Sequence, residues 1–171
     1  KEGETSPCQD CQYWYKEGIQ VEHEAVFTYN EAMKDYFHRY KFDGDYLLRK
    51  VFTKVLYQKF QKYKDYQLVL IPLSKERLQQ RGVNQVEGLI EGTGLSYYNI
   101  IDKKEVKASS SMNRADRLQV ENPFVIKEGV KISEKILLFV DIYTTGATIY
   151  RIFKMLIAVG CQNIKIFFLV R

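Results

Sequence analysis

A chain of 171 residues, 46% hydrophobic and carrying a net charge of +5, has enough apolar material for one core and predicts a single main domain. No apolar run approaches the roughly 20 residues of a membrane span, and no secretory leader pattern is read at the start. Three cysteines cannot build a disulfide framework, which points to a reducing, cytoplasmic setting.

Residues 1–18 are polar, contain Cys8-Gln9-Asp10-Cys11, and read as a hook or linker set apart from a domain over residues 19–171. Asn30 is placed to cap a helix through about Tyr40. The stretch KFDGD (41–45) is turn chemistry, because Asp-Gly tolerates positive φ. A long helix is expected from about Asp45 to Tyr63. Residues 34–64 hold nine Lys and Arg against three acids, interleaved with aromatic rings. Cations beside ring faces suit single-stranded nucleic acid, since phosphates are neutralised while bases stack. On that reading Arg49, Lys50, Lys54 and Lys62 are the candidate contacts. Leu48, Phe52, Leu56 and Phe60 also recur every four residues, the stripe of an ordinary amphipathic helix with a solvated basic back. Both readings stand.

QLVLIP (67–72) is an apolar run closed by proline and predicts a buried strand. Helical signal returns from about Asn84 to Glu91 and stops at Gly92 and Gly94. Residues 102–122 form a long polar loop rich in serine and charge. KILLFVD (135–141) predicts a second strand, residues 147–159 a helix ended by Gly160, and IKIFFLV (164–170) a third strand. Strands alternating with helices predict an α/β fold with a mainly parallel sheet covered on both faces.

The most informative segment is FVDIYTTGATI (139–149). In open α/β sheets ligands sit beyond the carboxyl ends of strands, where Asp141 falls. Thr144, Thr145, Gly146, Ala147 and Thr148 then lead into a helix. Amides at a helix N-terminus, with glycine allowing close approach and threonine hydroxyls as further donors, cradle a phosphate. The upstream acid accepts from sugar hydroxyls or anchors a hydrated Mg2+. Together they describe a ribose 5-phosphate; a plain strand–turn–helix junction capped by threonine is the other reading.

LFVDIYTTGATI resembles the 5-phosphoribosyl-1-pyrophosphate motif of type I phosphoribosyltransferases. With IPLSKERLQQRGVNQVEGL (71–89), SSSMNRADRL (109–118) and the Cys8/Cys11 pair, the chain is similar to the ComF family from about Cys8 to Arg171. The most specific parts are Arg81-Gly82-Val83-Asn84-Gln85 and the TTGAT loop. The resemblance implies a five-stranded parallel sheet flanked by helices, with a flexible hood. It implies that Thr144, Thr145, Gly146, Ala147 and Thr148 hold the 5′-phosphate, and that Asp141 faces the ribose as the catalytic acid. Leu73 and Ser74 fall where such enzymes contact pyrophosphate, with Lys75, Arg77 and Arg81 adding charge, or else forming a solvated basic surface. Arg114 and Arg117 lie in the hood.

Two departures stand out. The family usually carries a second acid where this chain has Ile142, and the hood has Val106 and Ser109 where relatives tend to have threonine and glutamine. One charged hydrogen bond to a sugar is worth roughly 1.5–3 kcal/mol, or about ten- to a hundredfold in affinity. The expected pocket therefore keeps a phosphate but has lost or relaxed turnover. A Mg2+-dependent phosphoribosyltransferase is the alternative.

Cys8 and Cys11 make half of a tetrahedral zinc site. The resemblance implies a first CxxC pair upstream of Lys1. His23 and His38 are further candidate ligands, with solvated or capping roles as the alternative, and Cys161 reads as a small buried residue. The resemblance also implies a cytoplasmic protein of natural transformation acting on single-stranded DNA beside a ComFA-type DNA translocase, with phosphoribosyl pyrophosphate or a nucleotide as ligand. A purely structural adaptor docking that translocase through the zinc hook is a further reading.

Overall fold

Apolar runs bounded by turn residues become strands, and the intervening amphipathic runs become helices. The computed structural model describes residues 12, 22–104, 122–144 and 146–171. Along the chain lie β1 (Glu22–Phe27), α1 (Glu31–Lys41), α2 (Thr53–Phe60), β2 (Gln67–Leu70), α3 (Lys75–Arg81), α4 (Gln85–Glu91), β3 (Ile101–Lys103), β4 (Phe124–Ile126), β5 (Lys135–Ile142), α5 (Ala147–Ala158) and β6 (Asn163–Val170). The main sheet is parallel and runs β1-β6-β5-β2. Among the described residues no helix is long and apolar enough to cross a membrane.

The three strands expected from hydrophobic runs are present, and β1 joins them at the edge beside β6. Its sequence EHEAVF carries the charged Glu22 and Glu24, as suits an edge strand with one side toward water. The fifth strand implied by the family resemblance is not formed among the described residues. Tyr98 makes a single parallel bridge to Val69, and its N–H donates to Leu68 O at 2.8 Å. Pairing stops there because Ile101 is already committed to Ile126 in a separate antiparallel ribbon of β3 and β4.

Alternation along β5 and β6 splits the core into two layers. Leu137, Phe139, Phe167 and Leu169 face Phe37, Leu56, Phe60 and Leu89 from α1, α2 and α4. Ile136, Leu138, Ile166 and Phe168 face Ile149, Ile152 and Leu156 of α5, together with the ribbon residues Ile101 and Phe124. Both faces are covered, which is why the central strands read as continuous apolar runs.

Asn30 caps α1, accepting from Met33 N at 2.9 Å. The long helix expected over residues 45–63 is instead broken. Residues Tyr46–Lys50 and Gln61–Tyr63 are tight 3-10 turns, and only Thr53–Phe60 is α-helical. A continuous helix would send the Phe52 N–H to Leu48 O, but that carbonyl already accepts from Val51 N at 3.0 Å and from the Tyr36 hydroxyl at 3.1 Å. Asp45, which would cap such a helix, is drawn away by Arg39 at 2.8 Å. The apolar stripe still does its work: Phe52, Leu56 and Phe60 are buried.

Tyr40, from α1, sends its hydroxyl to Gln85 O of α4 at 2.8 Å. Gly88 makes that approach feasible, since a Cβ there would stand 2.6 Å from Tyr40 Oη and 2.8 Å from Tyr46 Oη. In an exposed helix Gly→Ala gains about 1 kcal/mol. Here Tyr40 is buried and bonded, so the overlap wins. Gly88→Ala is expected to destabilise the chain by about 1–3 kcal/mol in urea unfolding; a gain would show that the tyrosine has room to move.

Candidate functional site

Parallel pairing brings the carboxyl ends of β2 and β5 side by side, with Leu70 opposite Phe139. The turn carrying Leu73 and Ser74 therefore leaves the sheet next to Asp141 and the start of α5. Thr144, Ala147 and Thr148 are exposed. Gly146 precedes α5 as its N-cap with φ of +68°, a left-handed conformation that favours glycine, and offers no capping side chain of its own. Amides in the first turn of a helix have no intrahelical partner, which is the chemistry an anion cradle uses. Thr145 lies outside the described residues.

Asp141 is held from two sides. Its Oδ1 accepts from Ile142 N at 2.8 Å, and its Oδ2 is ion-paired with Lys41 Nζ at the end of α1. The two side chains are only 18% and 13% exposed. Lys41 Nζ also sits 4.6 Å from the centroid of the Phe37 ring, a cation–π contact. Burial, followed by the Asp141 charge, pushes the Tyr36 hydroxyl well above its ordinary range. Tyr40 is pushed the same way, by burial first and then by Tyr36, Tyr46 and Asp141, against Arg49.

The geometry that carries Lys41 to β5 follows from the course of α1. The helix begins beside β1 and β6, where Tyr29 N donates to Arg171 O at 2.8 Å. It ends at Asp141 on β5. It therefore crosses the strand ends.

The segment Arg81-Gly82-Val83-Asn84-Gln85 is a helix stop and a helix start in succession. Gly82, at φ +71°, closes α3 with its N–H on Leu78 O, and Asn84 Oδ1 accepts from Val86 N at 3.1 Å to open α4. The corner buries Gln85, whose Oε1 accepts from an Arg81 terminal nitrogen at 3.0 Å. Arg81 stacks 5.3 Å from the Phe42 centroid, and its Nε is buried without a hydrogen-bond partner among the described residues. Burial and the Arg77 charge push its guanidinium below the ordinary range, opposed by Asp141. Arg81 and Asp141 thus share one electrostatic neighbourhood. Ser74 is occupied as the cap of α3, accepting from Arg77 N at 3.4 Å. Lys75 and Arg77 are exposed on that short helix.

Ile142 continues the strand, paired with Val170, and packs against the core beneath α1 and α2. A hydrated Mg2+ at this point would meet a carboxylate already engaged through both oxygens, an alkyl group beside it and an ammonium facing it. The residues present do not suit that ion there.

The four basic residues expected to touch nucleic acid lie on the 3-10 turn, on α2 and just beyond it. Arg49 stacks on Tyr46 at 4.1 Å from the ring centroid. Lys62 lies 4.0 Å from Glu24, which Lys59 also pairs at 2.9 Å. Burial opposes ionisation of Glu24, but the Lys59 and Tyr63 hydrogen bonds and the lysine charges outweigh it and hold its carboxyl below the usual range. Lys50 and Lys54 are exposed and carry no ion pair among the described residues, with exposed Leu47, Val51 and Tyr57 around them.

Cys8, Cys11, Val106, Ser109, Arg114 and Arg117 fall outside the described residues. His38 Nδ1 lies 3.3 Å from Asp43 Oδ2, and His23 contacts Arg171, so the two histidines are engaged on different elements. Cys161 is buried as expected, and burial pushes its thiol up. Sequence reading alone does not single out Lys41 as part of the site, and marks Gln85 only as the last residue of the 81–85 segment. Lys41 stands within the basic run, and its position at the close of a helix, just before a turn, is the available signal.

Removing Lys41 leaves a mostly buried carboxylate without its counter-charge. Lys41→Met is expected to lower stability by about 2–4 kcal/mol, and the double variant with Asp141→Asn to recover more than half of that loss, both read by urea unfolding. Equal losses in the two variants would mean that packing, not charge, dominates where these side chains meet.

No protein-family model matches the chain. Among curated proteins it is 58% identical over 167 residues to the competence protein ComFC of Streptococcus pneumoniae, a match covering 98% of this chain and 76% of that protein. It is 31% identical over 172 residues to the competence protein ComFC of Bacillus subtilis, covering 96% and 72% of the two chains. Identity of this extent, with a parallel sheet whose carboxyl edge carries Asp141, places the chain in the ComF family, alongside the ComFC competence proteins.

Proposed function

We propose that the chain is a competence protein that handles imported single-stranded DNA in the cytoplasm, through a phosphoribosyltransferase-like domain that binds the 5′-phosphate of a phosphoribosyl compound or nucleotide. The observation that carries the ligand half is the start of α5, where Ala147 and Thr148 are exposed. Gly146 turns the backbone there without a side chain, and Thr144 and Thr148 flank it. A phosphate at that point gains from several amides and from the helix dipole together. Arg77 and Arg81, at the neighbouring strand end, supply positive charge for further anionic groups. The role in transformation rests on the competence proteins matched above.

In this reading the pocket binds more than it turns over. Asp141 is neutralised by Lys41, and the adjoining position is aliphatic. DNA lies along the basic segment, where Lys50 and Lys54 face solvent among exposed apolar side chains. Cys8 and Cys11 form half of a structural zinc site, and a ComFA-type translocase is the protein partner.

Ribose 5-phosphate or phosphoribosyl pyrophosphate, at about a hundredfold excess over Kd, is expected to raise the melting temperature by about 5–10 °C. Thr148→Glu puts a like charge into the cradle and is expected to abolish that rise; a wild-type chain that does not shift at millimolar ligand removes the proposal. For DNA, the slope of log affinity against log salt falls by about 0.7 for every phosphate that is no longer neutralised. The Lys50→Glu/Lys54→Glu variant is expected to show a flatter slope with oligodeoxythymidine, and an unaltered slope would move the DNA path elsewhere.

A further inference from the structure

We propose that Lys41 is a specificity-determining residue of the pocket, which with Asp141 reads the vicinal hydroxyls of a ribosyl ring without a metal ion. This rests on the phosphoribosyl reading above and adds to it a residue from outside the sequence motifs. The two side chains meet as an ion pair at the strand end, are mostly buried, and come from elements that pack together, so their positions are set before any ligand arrives. The ammonium carries three donors. One serves Asp141 Oδ2, and the Phe37 ring lies beside the group at 4.6 Å. Donor capacity therefore remains for an incoming oxygen.

The chemistry of a diol completes the argument. A carboxylate can only accept, so it reads hydroxyls solely as donors. An ammonium can only donate, so it reads them solely as acceptors. One of each, side by side, complements two neighbouring hydroxyls in a single orientation: one donates to Asp141 and the other accepts from Lys41. Ile142 supplies no oxygen, and the lysine takes over the recognition that a second carboxylate would give. The same ammonium repels a divalent cation at that point. Sugar binding is then independent of Mg2+ and selective for ribose over deoxyribose.

Titration calorimetry with ribose 5-phosphate and 2-deoxyribose 5-phosphate, each in EDTA and in millimolar Mg2+, tests this. Wild type is expected to bind ribose 5-phosphate within about twofold of the same affinity under both conditions, and to prefer it over the deoxy sugar by about tenfold. Lys41→Met is expected to lose most of that preference while keeping its affinity for inorganic phosphate, and Lys41→Arg to retain part of it. The Lys41→Met/Asp141→Asn variant provides a neutral pair, should the single variant fold poorly, and is expected to lose the preference too. Wild-type binding of ribose 5-phosphate that demands Mg2+ overturns the role of Lys41 and leaves the phosphoribosyl reading standing. So does an unchanged ribose preference in a folded Lys41 variant. Absence of wild-type binding to both sugar phosphates and to inorganic phosphate overturns the phosphoribosyl reading and this inference with it.

Discussion

A carboxylate at the end of a strand covered on both faces has to be hydrated or neutralised, and in this chain it is neutralised. Lys41 reaches Asp141 because α1 crosses the carboxyl ends of the strands. That course has further consequences. It puts Tyr36 and Tyr40 under the field of the same carboxylate, it lets Tyr40 bond the α4 backbone, and it interrupts the helix over residues 46–63 by taking the Leu48 carbonyl. Much of the helical layer on that face is arranged around one charge pair.

The Arg81–Gln85 corner shows how a short motif gains a physical basis. As letters it suggests positive charge near a diphosphate. As structure it is a left-handed glycine, an asparagine cap and a buried glutamine, which together fix where the guanidinium of Arg81 stands. The charge is the chemical part; the other residues aim it. A single buried Nε without a partner among the described residues marks the place where this aim is least internally satisfied.

The central strands were legible because a strand buried on both faces writes an uninterrupted apolar run, and Asn30 announced its helix through side-chain chemistry local to the chain. The edge strand β1 was not legible, since Glu22 and Glu24 leave EHEAVF without an apolar run, and it is strand because β6 offers it a free side. The break in the residue 45–63 segment was hidden for a related reason: its stripe is genuine, and the competitor for the Leu48 carbonyl comes from another helix. Within the site, Asp141 and the loop after it could be read as a strand end and a helix start. Lys41 could not be tied to Asp141, because nothing near either residue encodes the crossing of α1.

The strand order carries a consequence for biosynthesis. Among the described residues β1 meets the rest of the sheet only through β6, which follows all the other described strands, whereas β2 and β5 pair with each other. On the ribosome the β2–β5 pair is available before β6 emerges, while β1 waits without a neighbour and the apolar edge of β5 stays open. Insertion of eight residues then joins both halves at once, and the nascent chain is most exposed to mispairing immediately before that step.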